Sequence, residues 1–163
     1  VGGMAEHKGY FLLKEAVLES QPNNLEFLIV DHSKEEGYEN IVFWGNVPVR
    51  FIGRVNQEKV VDLYRKIDVL FAPSTWPESF GLVTREAAAC GCWVVASELG
   101  GISESVINQS TGYKISPDIE SIKKIIKEID KQPSKHKENI SESKINTSRL
   151  QIDSLFKIYK KEV

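Results

Sequence analysis

Asp68-Val-Leu-Phe-Ala-Pro-Ser-Thr-Trp-Pro-Glu-Ser-Phe-Gly-Leu-Val-Thr-Arg-Glu86 is the stretch that decides how this chain is read. An apolar strand, Asp68 to Ala72, runs into a proline-bounded loop that ends at Glu78. Ser79-Phe80-Gly81 then turns the chain into a helix that carries Glu86. In an open α/β sheet such a strand-to-helix junction lies at the carboxyl edge of the strands, where ligands bind. The first helical turn offers backbone N–H groups without intrahelical acceptors and a positive dipole end, and both suit phosphate. Gly81 has no Cβ, so a ligand is expected to approach its backbone closely. Eight residues at helical rise span roughly 12 Å, about the separation of a sugar and a ribose joined through a diphosphate. A carboxylate at each end would accept hydrogen bonds from ring hydroxyls. The same spacing also suits a structural acid near a helix start and a solvated helix acid, and the residues alone leave both readings open.

Outward from this stretch, strands and helices alternate. Residues 9 to 20 carry Leu12, Leu13, Ala16 and Val17 at helical spacing, and Pro22-Asn23-Asn24 ends the helix. Leu25 to Val30 reads as a buried strand. Residues 33 to 44 suit a helix through Tyr38, Ile41 and Val42, while Ile41 to Trp44 alone suits a strand; the helix is the expectation, stopped by Gly45-Asn46. Val49 to Ile52 is the next strand, and Asn56 is expected to cap a helix carrying Val60, Val61, Leu63, Tyr64 and Ile67. Trp93 to Ala96 and Gly112 to Ser116 are short strands. A short helix is expected over Ile102 to Ile107, with Glu104 in its first turn complementing the dipole. Asp118 to Lys131 is amphipathic, with Ile122, Ile125, Ile126 and Ile129 on one face. Residues 132 to 148 are polar, and a final amphipathic helix is expected over 148 to 161. This alternation argues an α/β fold on a parallel, doubly wound sheet covered on both faces.

Composition narrows the classes. The chain has 163 residues, 41% apolar and 27% charged, with a net charge of −2. That suits one globular domain and gives no global basic field to recruit nucleic acid or membrane. No apolar run approaches the ~20 residues that span a bilayer. Cys90 and Cys92 have no second pair to complete a metal site, so buried thiols in a reducing compartment are expected. His7, His32 and His136 are scattered, and no metal site is expected. The opening Val1-Gly2-Gly3 is what an excised domain would show.

Gly2-Gly3-Met-Ala-Glu-His-Lys8-Gly9 is a glycine turn ahead of a helix, with a lysine at its end. Lys8 is a point charge for a diphosphate or a solvated lysine at a helix start. At the end of the Val49–Ile52 strand, Arg54 and Val55 face either a ligand or, respectively, solvent and core. Trp76 borders a sugar pocket or caps the core. Gly100-Gly101 lets a loop approach the ligand or makes a tight turn.

Several spaced motifs together resemble the retaining GT-B glycosyltransferases, the large family-4-like group. Glu78-Ser-Phe-Gly-Leu-Val-Thr-Arg-Glu86 resembles their E-x7-E motif, and Ala87 to Ser97 their E-A-x-A-x-G-x-P-V-V-A run. Ser97 to Glu104 resembles S/T-x-x-G-G-x-x-E, Thr111-Gly112-Tyr113 the T-G-x before the last strand, and Phe51 to Val55 F-x-G-x-V. The resemblance runs along the chain and covers only the C-terminal, donor-binding domain of that family. It implies a Rossmann-like three-layer sandwich with a parallel sheet of about six strands and helices on both faces. Residues 1–131 would form the nucleotide-sugar-binding domain, and 132–163 a polar connection and C-terminal helix packed on it.

By the same resemblance, Lys8 and Glu78 are the catalytic candidates: Lys8 for the diphosphate leaving group, Glu78 for the donor sugar. Glu86 would hold the ribose. Ser79, Phe80, Gly81 and Leu82 would supply the helix opening, with backbone N–H groups from the last three. Gly2 and Gly3 would line the turn, and Arg54 and Val55 would lie nearer the nucleobase. The chain departs from the family at Gly3, where an arginine is usual. The resemblance implies no metal or other cofactor. The partners it implies are a nucleotide-diphosphate sugar and an upstream acceptor-binding domain, through which any membrane contact would run. A saccharide or lipid-linked acceptor, a role in polysaccharide assembly and a cytoplasmic location, open to peripheral membrane association, complete the expectation. The isolated domain would transfer little or no sugar. A non-catalytic nucleotide-binding or interaction module on a Rossmann-like sheet is the alternative.

Overall fold

A computed structural model describes residues 4–137. Its elements are α1 (Tyr10–Ser20), β1 (Phe27–Val30), β2 (Glu39–Trp44), β3 (Val47–Ile52), α2 (Val60–Tyr64), β4 (Val69–Ala72), α3 (Leu82–Ala89), β5 (Trp93–Ser97), β6 (Gly112–Ile115), α4 (Ile119–Lys131) and α5 (Pro133–Lys137). The final helix expected over 148 to 161 lies outside the described residues, as do Gly2 and Gly3.

The six strands form two three-stranded sheets, ordered β1-β3-β2 and β4-β5-β6. The second is wholly parallel, with Phe71 opposite Val95 and Val95 opposite Tyr113. In the first, β1 and β3 are parallel, but β2 runs antiparallel to β3. One core underlies both sheets. Leu13, Ala16 and Val17 of α1 and Ile122, Ile125, Ile126 and Ile129 of α4 meet Ile29, Val49, Phe71, Val95 and Tyr113 in it. On the opposite face of β4 and β5, Tyr64 of α2 and Ala87 and Ala88 of α3 pack on Leu70, Ala72, Val94 and Ala96. Four fully or nearly buried isoleucines on α4 explain why that helix forms: its apolar stripe has one place to go. Asp118 caps it, accepting a hydrogen bond from Ser121 N at 2.8 Å.

Three local expectations give way. Residues 39–44 are a strand, not a helix. Trp44 and Val42 turn toward the core while Ile41 and Phe43 turn outward, so from Ile41 to Trp44 a strand's alternation is written in apolar residues alone. Gly45-Asn46 is the hairpin loop between Trp44 and Val47, with Gly45 at φ 64°. Gln21 fastens the hairpin to α1, donating to Trp44 O at 3.2 Å and accepting from Asn46 N at 2.8 Å. Among the described residues no helix then covers the outer face of β2, and Ile41 and Phe43 are exposed. Asn56 makes no side-chain cap; its amide donates to Glu36 at 2.5 Å, and a short 3-10 turn precedes α2. Residues 102 to 107 hold only the end of a 3-10 turn, Gly101–Ser103, and Glu104 pairs with Arg85 rather than with a helix dipole.

Candidate active site

β4 ends at Ala72, and the chain beyond it is fastened before it reaches Glu78. The backbone carbonyl of His7 accepts from Thr75 N at 2.9 Å and lies 2.9 Å from the buried Ser74 hydroxyl. Gly9 makes this approach possible. It sits at φ 75°, and a Cβ there would lie 2.8 Å from the Pro73 carbonyl carbon. The turn at residues 6–8 is thus held against the loop that follows β4.

This juxtaposition brings Lys8 to Glu78. Lys8 Nζ donates to Glu78 Oε1 at 2.9 Å across seventy positions of sequence, and both side chains are about a quarter exposed. A small cleft at the carboxyl end of β4 is lined by Lys8, Ala72, Ser74, Glu78, Gly81 and Ile102. α3 opens beside it from Gly81, and the N–H groups of Leu82, Val83 and Thr84 in its first turn have no intrahelical acceptor. One cation, one carboxylate and a helix N-terminus therefore share this cleft.

The loop of residues 99–104 closes the cleft from the other side, and sequence reading left its role open. Gly101 N donates to Glu78 O at 2.6 Å, Glu78 N donates to Leu99 O at 3.4 Å, and Glu78 bridges Gly100. A Cβ on Gly101 would lie 2.8 Å from the Ser79 carbonyl carbon and 3.1 Å from Phe80 Cα. Gly100 and Gly101 are small because the Glu78–Phe80 backbone lies on them. Gly81 is small for a related reason, in addition to the one expected. It adopts φ 68°, and a Cβ would meet Ile102 Cα at 2.7 Å. Thr84, fully buried, ties the same contact, its hydroxyl 2.8 Å from both Gly81 O and Ile102 O.

Arg85 braces the outer side of the turn. Its Nε donates to Phe80 O at 3.0 Å, its guanidinium carbon lies 4.0 Å from the centre of the Phe80 ring, and Nη2 donates to Glu104 at 2.7 Å. Ser79, Phe80 and Leu82 remain exposed.

The other expected site residues lie apart from the Lys8–Glu78 contact. Glu86, in the second turn of α3, is half-buried and does not line the cleft; its Oε2 accepts from the Tyr64 hydroxyl at 3.2 Å. Burial, reinforced by the Glu86 charge, pushes the Tyr64 pKa well above its ordinary value, so Tyr64 is a fixed donor to that carboxylate. Sequence reading placed Tyr64 in the helix core and missed this contact. Arg54 is exposed and ion-paired with Glu35, and Val55 is half-buried. Arg54 and Val55 line a second, wider cleft between Glu36–Glu39 and α2. Trp76 does not cap the core: it is exposed and leans on His7, beyond the residues that line the first cleft. Burial raises the Cys92 pKa to about 12 and also raises that of Cys90, which makes both poor nucleophiles. Among the described residues, no group of three His, Cys, Asp or Glu side chains gathers to hold a metal ion.

The family model described as Glycosyl transferases group 1 matches residues 1–147. The chain belongs to the group 1 glycosyltransferases. A D-inositol 3-phosphate glycosyltransferase of Corynebacterium efficiens is 37% identical over 126 residues, which cover 71% of this chain and 30% of that protein. A glycogen synthase of Mycobacterium tuberculosis is 41% identical over 68 residues, covering 42% of this chain and 16% of that protein. Among solved structures, a glycosyltransferase from Rickettsia africae superposes with a TM-score of 0.74 at 20% identity, over 98% of this chain and 46% of that one. HepE of Anabaena in complex with UDP-glucose superposes with a TM-score of 0.66 at 25% identity, over 85% of this chain and 39% of that one. This group 1 glycosyltransferase chain therefore shares the Rossmann-like fold of GT-B enzymes and spans less than half of each of these relatives.

Proposed function

We propose that this chain is the donor-binding half of a retaining glycosyltransferase that takes its sugar from a nucleotide diphosphate. The observation that carries the reading is the Lys8–Glu78 pair beside the first turn of α3. Each group neutralises the other while no ligand is present. A bound diphosphate would draw Lys8 to its own charge and free Glu78 to accept hydrogen bonds from the donor sugar. As the glycosidic bond breaks, charge develops on the diphosphate. Lys8 and the N–H groups of the α3 opening are fixed donors to that charge and would lower the barrier. Glu86, with one oxygen on Tyr64, would turn the other to the ribose hydroxyls. Phe80, Gly81 and Leu82 would present their backbone, and Arg54 and Val55 would lie nearer the base, with Gly2 and Gly3 in the glycine turn. The relatives and the UDP-glucose complex of HepE support this assignment.

In this reading an acceptor-binding domain precedes the chain and supplies the saccharide or lipid-linked acceptor site and any membrane contact. No metal takes part, residues 1–131 make the nucleotide-sugar domain, and the enzyme works in the cytoplasm. Calorimetric titration with UDP, GDP and ADP, alone and as nucleotide sugars, tests the reading. Saturable binding that needs the diphosphate supports it. Absence of binding, or binding unchanged in both Lys8→Ala and Glu86→Ala, refutes it.

A further inference from the structure

Trp44 and Trp93 are 5% and 6% exposed, whereas Trp76 is 67% exposed. Its backbone is nevertheless fixed. The Ser74 hydroxyl, in a residue only 1% exposed, lies 3.1 Å from Trp76 O and 2.9 Å from His7 O, and Thr75 N donates to His7 O at 2.9 Å. The exposure of the indole is therefore a property of a held loop. The ring leans against His7, with centroids 5.5 Å apart and planes at 37°. His7 adjoins Lys8, and Trp76 precedes Glu78 by two residues, so the aromatic pair is tethered on both sides to the charged pair.

From this arrangement, and resting on the reading of the site above, we infer that Trp76, steadied by His7, is the platform on which the donor sugar stacks. A pyranose has apolar C–H faces and a rim of hydroxyls. It is gripped by an aromatic ring on a face and a carboxylate at the rim, and one loop offers both groups two residues apart, Glu78 within the cleft lining and Trp76 just beyond it. A nucleoside diphosphate without its sugar has no pyranose to place there. Trp76 is thus a specificity-determining residue for the sugar, and the nucleotide is held elsewhere.

The exposed indole supplies its own signal, because acrylamide quenches an exposed tryptophan far more than Trp44 or Trp93. The 163-residue chain is titrated with UDP, GDP and ADP, and with UDP-glucose, GDP-mannose and ADP-glucose. The expected result is protection of the quenchable fluorescence by a nucleotide sugar and not by its bare diphosphate. Trp76→Ala should lower affinity for that nucleotide sugar by roughly three- to tenfold, as expected for losing about half of an aromatic face. It should leave the bare diphosphate unaffected, and Trp76→Phe should restore most of the loss. Equal protection by the bare diphosphate overturns the inference, as does equal weakening of both ligands or no weakening at all. Binding of a diphosphate with no sugar-dependent change at Trp76 refutes this inference alone. Failure of every diphosphate to bind refutes the donor-site reading as well.

Discussion

Gly101→Ala isolates the contact that shapes the cleft. The new methyl group would sit 2.8 Å from the Ser79 carbonyl carbon, inside the 3.4 Å at which ordinary contact begins, and closer still to Ser79 O. The nearest neighbours are all backbone, so no side-chain rotation relieves the clash; the two segments must part by at least about 0.6 Å. The clash should cost about 1–3 kcal/mol of stability. Gly101 has no positive φ, so this cost is steric alone. Gly37→Ala is the matched control: it sits at φ 88° with nothing within 4 Å of the added Cβ. Its cost should be the left-handed backbone penalty of about 1–2 kcal/mol alone, with no steric clash.

The displacement in Gly101→Ala falls on Glu78–Phe80, the approach to α3. A shift of that size stretches a hydrogen bond of about 2.9 Å to about 3.5 Å, beyond useful length. Losing one charge-assisted bond weakens binding by roughly tenfold or more. Urea unfolding measures the first effect and calorimetric titration with the preferred nucleotide diphosphate the second. If Gly101→Ala matches the unaltered chain in both, the packing of the glycine loop on Glu78 does not shape the site.

Other perturbations separate the remaining claims. Burial lowers the His136 pKa from its ordinary 6.5, so as pH falls the unfolded chain takes up the proton first. Stability should be level in this respect above about pH 6.5 and decline below it. His136, 2.9 Å from the Tyr113 hydroxyl, would lose that slope on replacement by Gln; identical pH profiles of urea midpoints would refute this. Trp44→Ala, at 5% exposure, should cost about 3–5 kcal/mol, while Phe43→Ser next to it, at 66%, should stay within about 0.5 kcal/mol. Equal costs would mean that the β2 register is wrong. With pKa values raised by burial, Cys90 and Cys92 should alkylate with iodoacetamide at pH 7.5 far more slowly in the folded chain than in urea. Mass spectrometry reads the difference, and equal rates would contradict the burial.

The parallel strands of both sheets and α4 were legible because their apolar residues cluster in short runs or recur at helical spacing. β2 was misread because its alternation from Ile41 to Trp44 carries no polar residues: Ile41 and Phe43 point outward yet look like core. The pairing of Lys8 with Glu78 could not be read from spacing, since the fold alone brings together groups seventy positions apart; motif resemblance pointed to both. The roles of Gly81, Gly100 and Gly101 were half-read. Glycine marked a close approach, and the chain's own backbone makes one at each. Tyr64 gave no signal, because a helix tyrosine facing a core looks the same with or without a carboxylate at its hydroxyl.

The central claim is that Lys8 and the opening of α3 receive a nucleotide diphosphate. Calorimetric titration of the chain and of Lys8→Ala with UDP, GDP and ADP tests it most directly. At least one diphosphate should bind saturably to the unaltered chain, and Lys8→Ala should weaken it by roughly tenfold or more. No binding by any of the three, or equal affinity in Lys8→Ala, would contradict the claim.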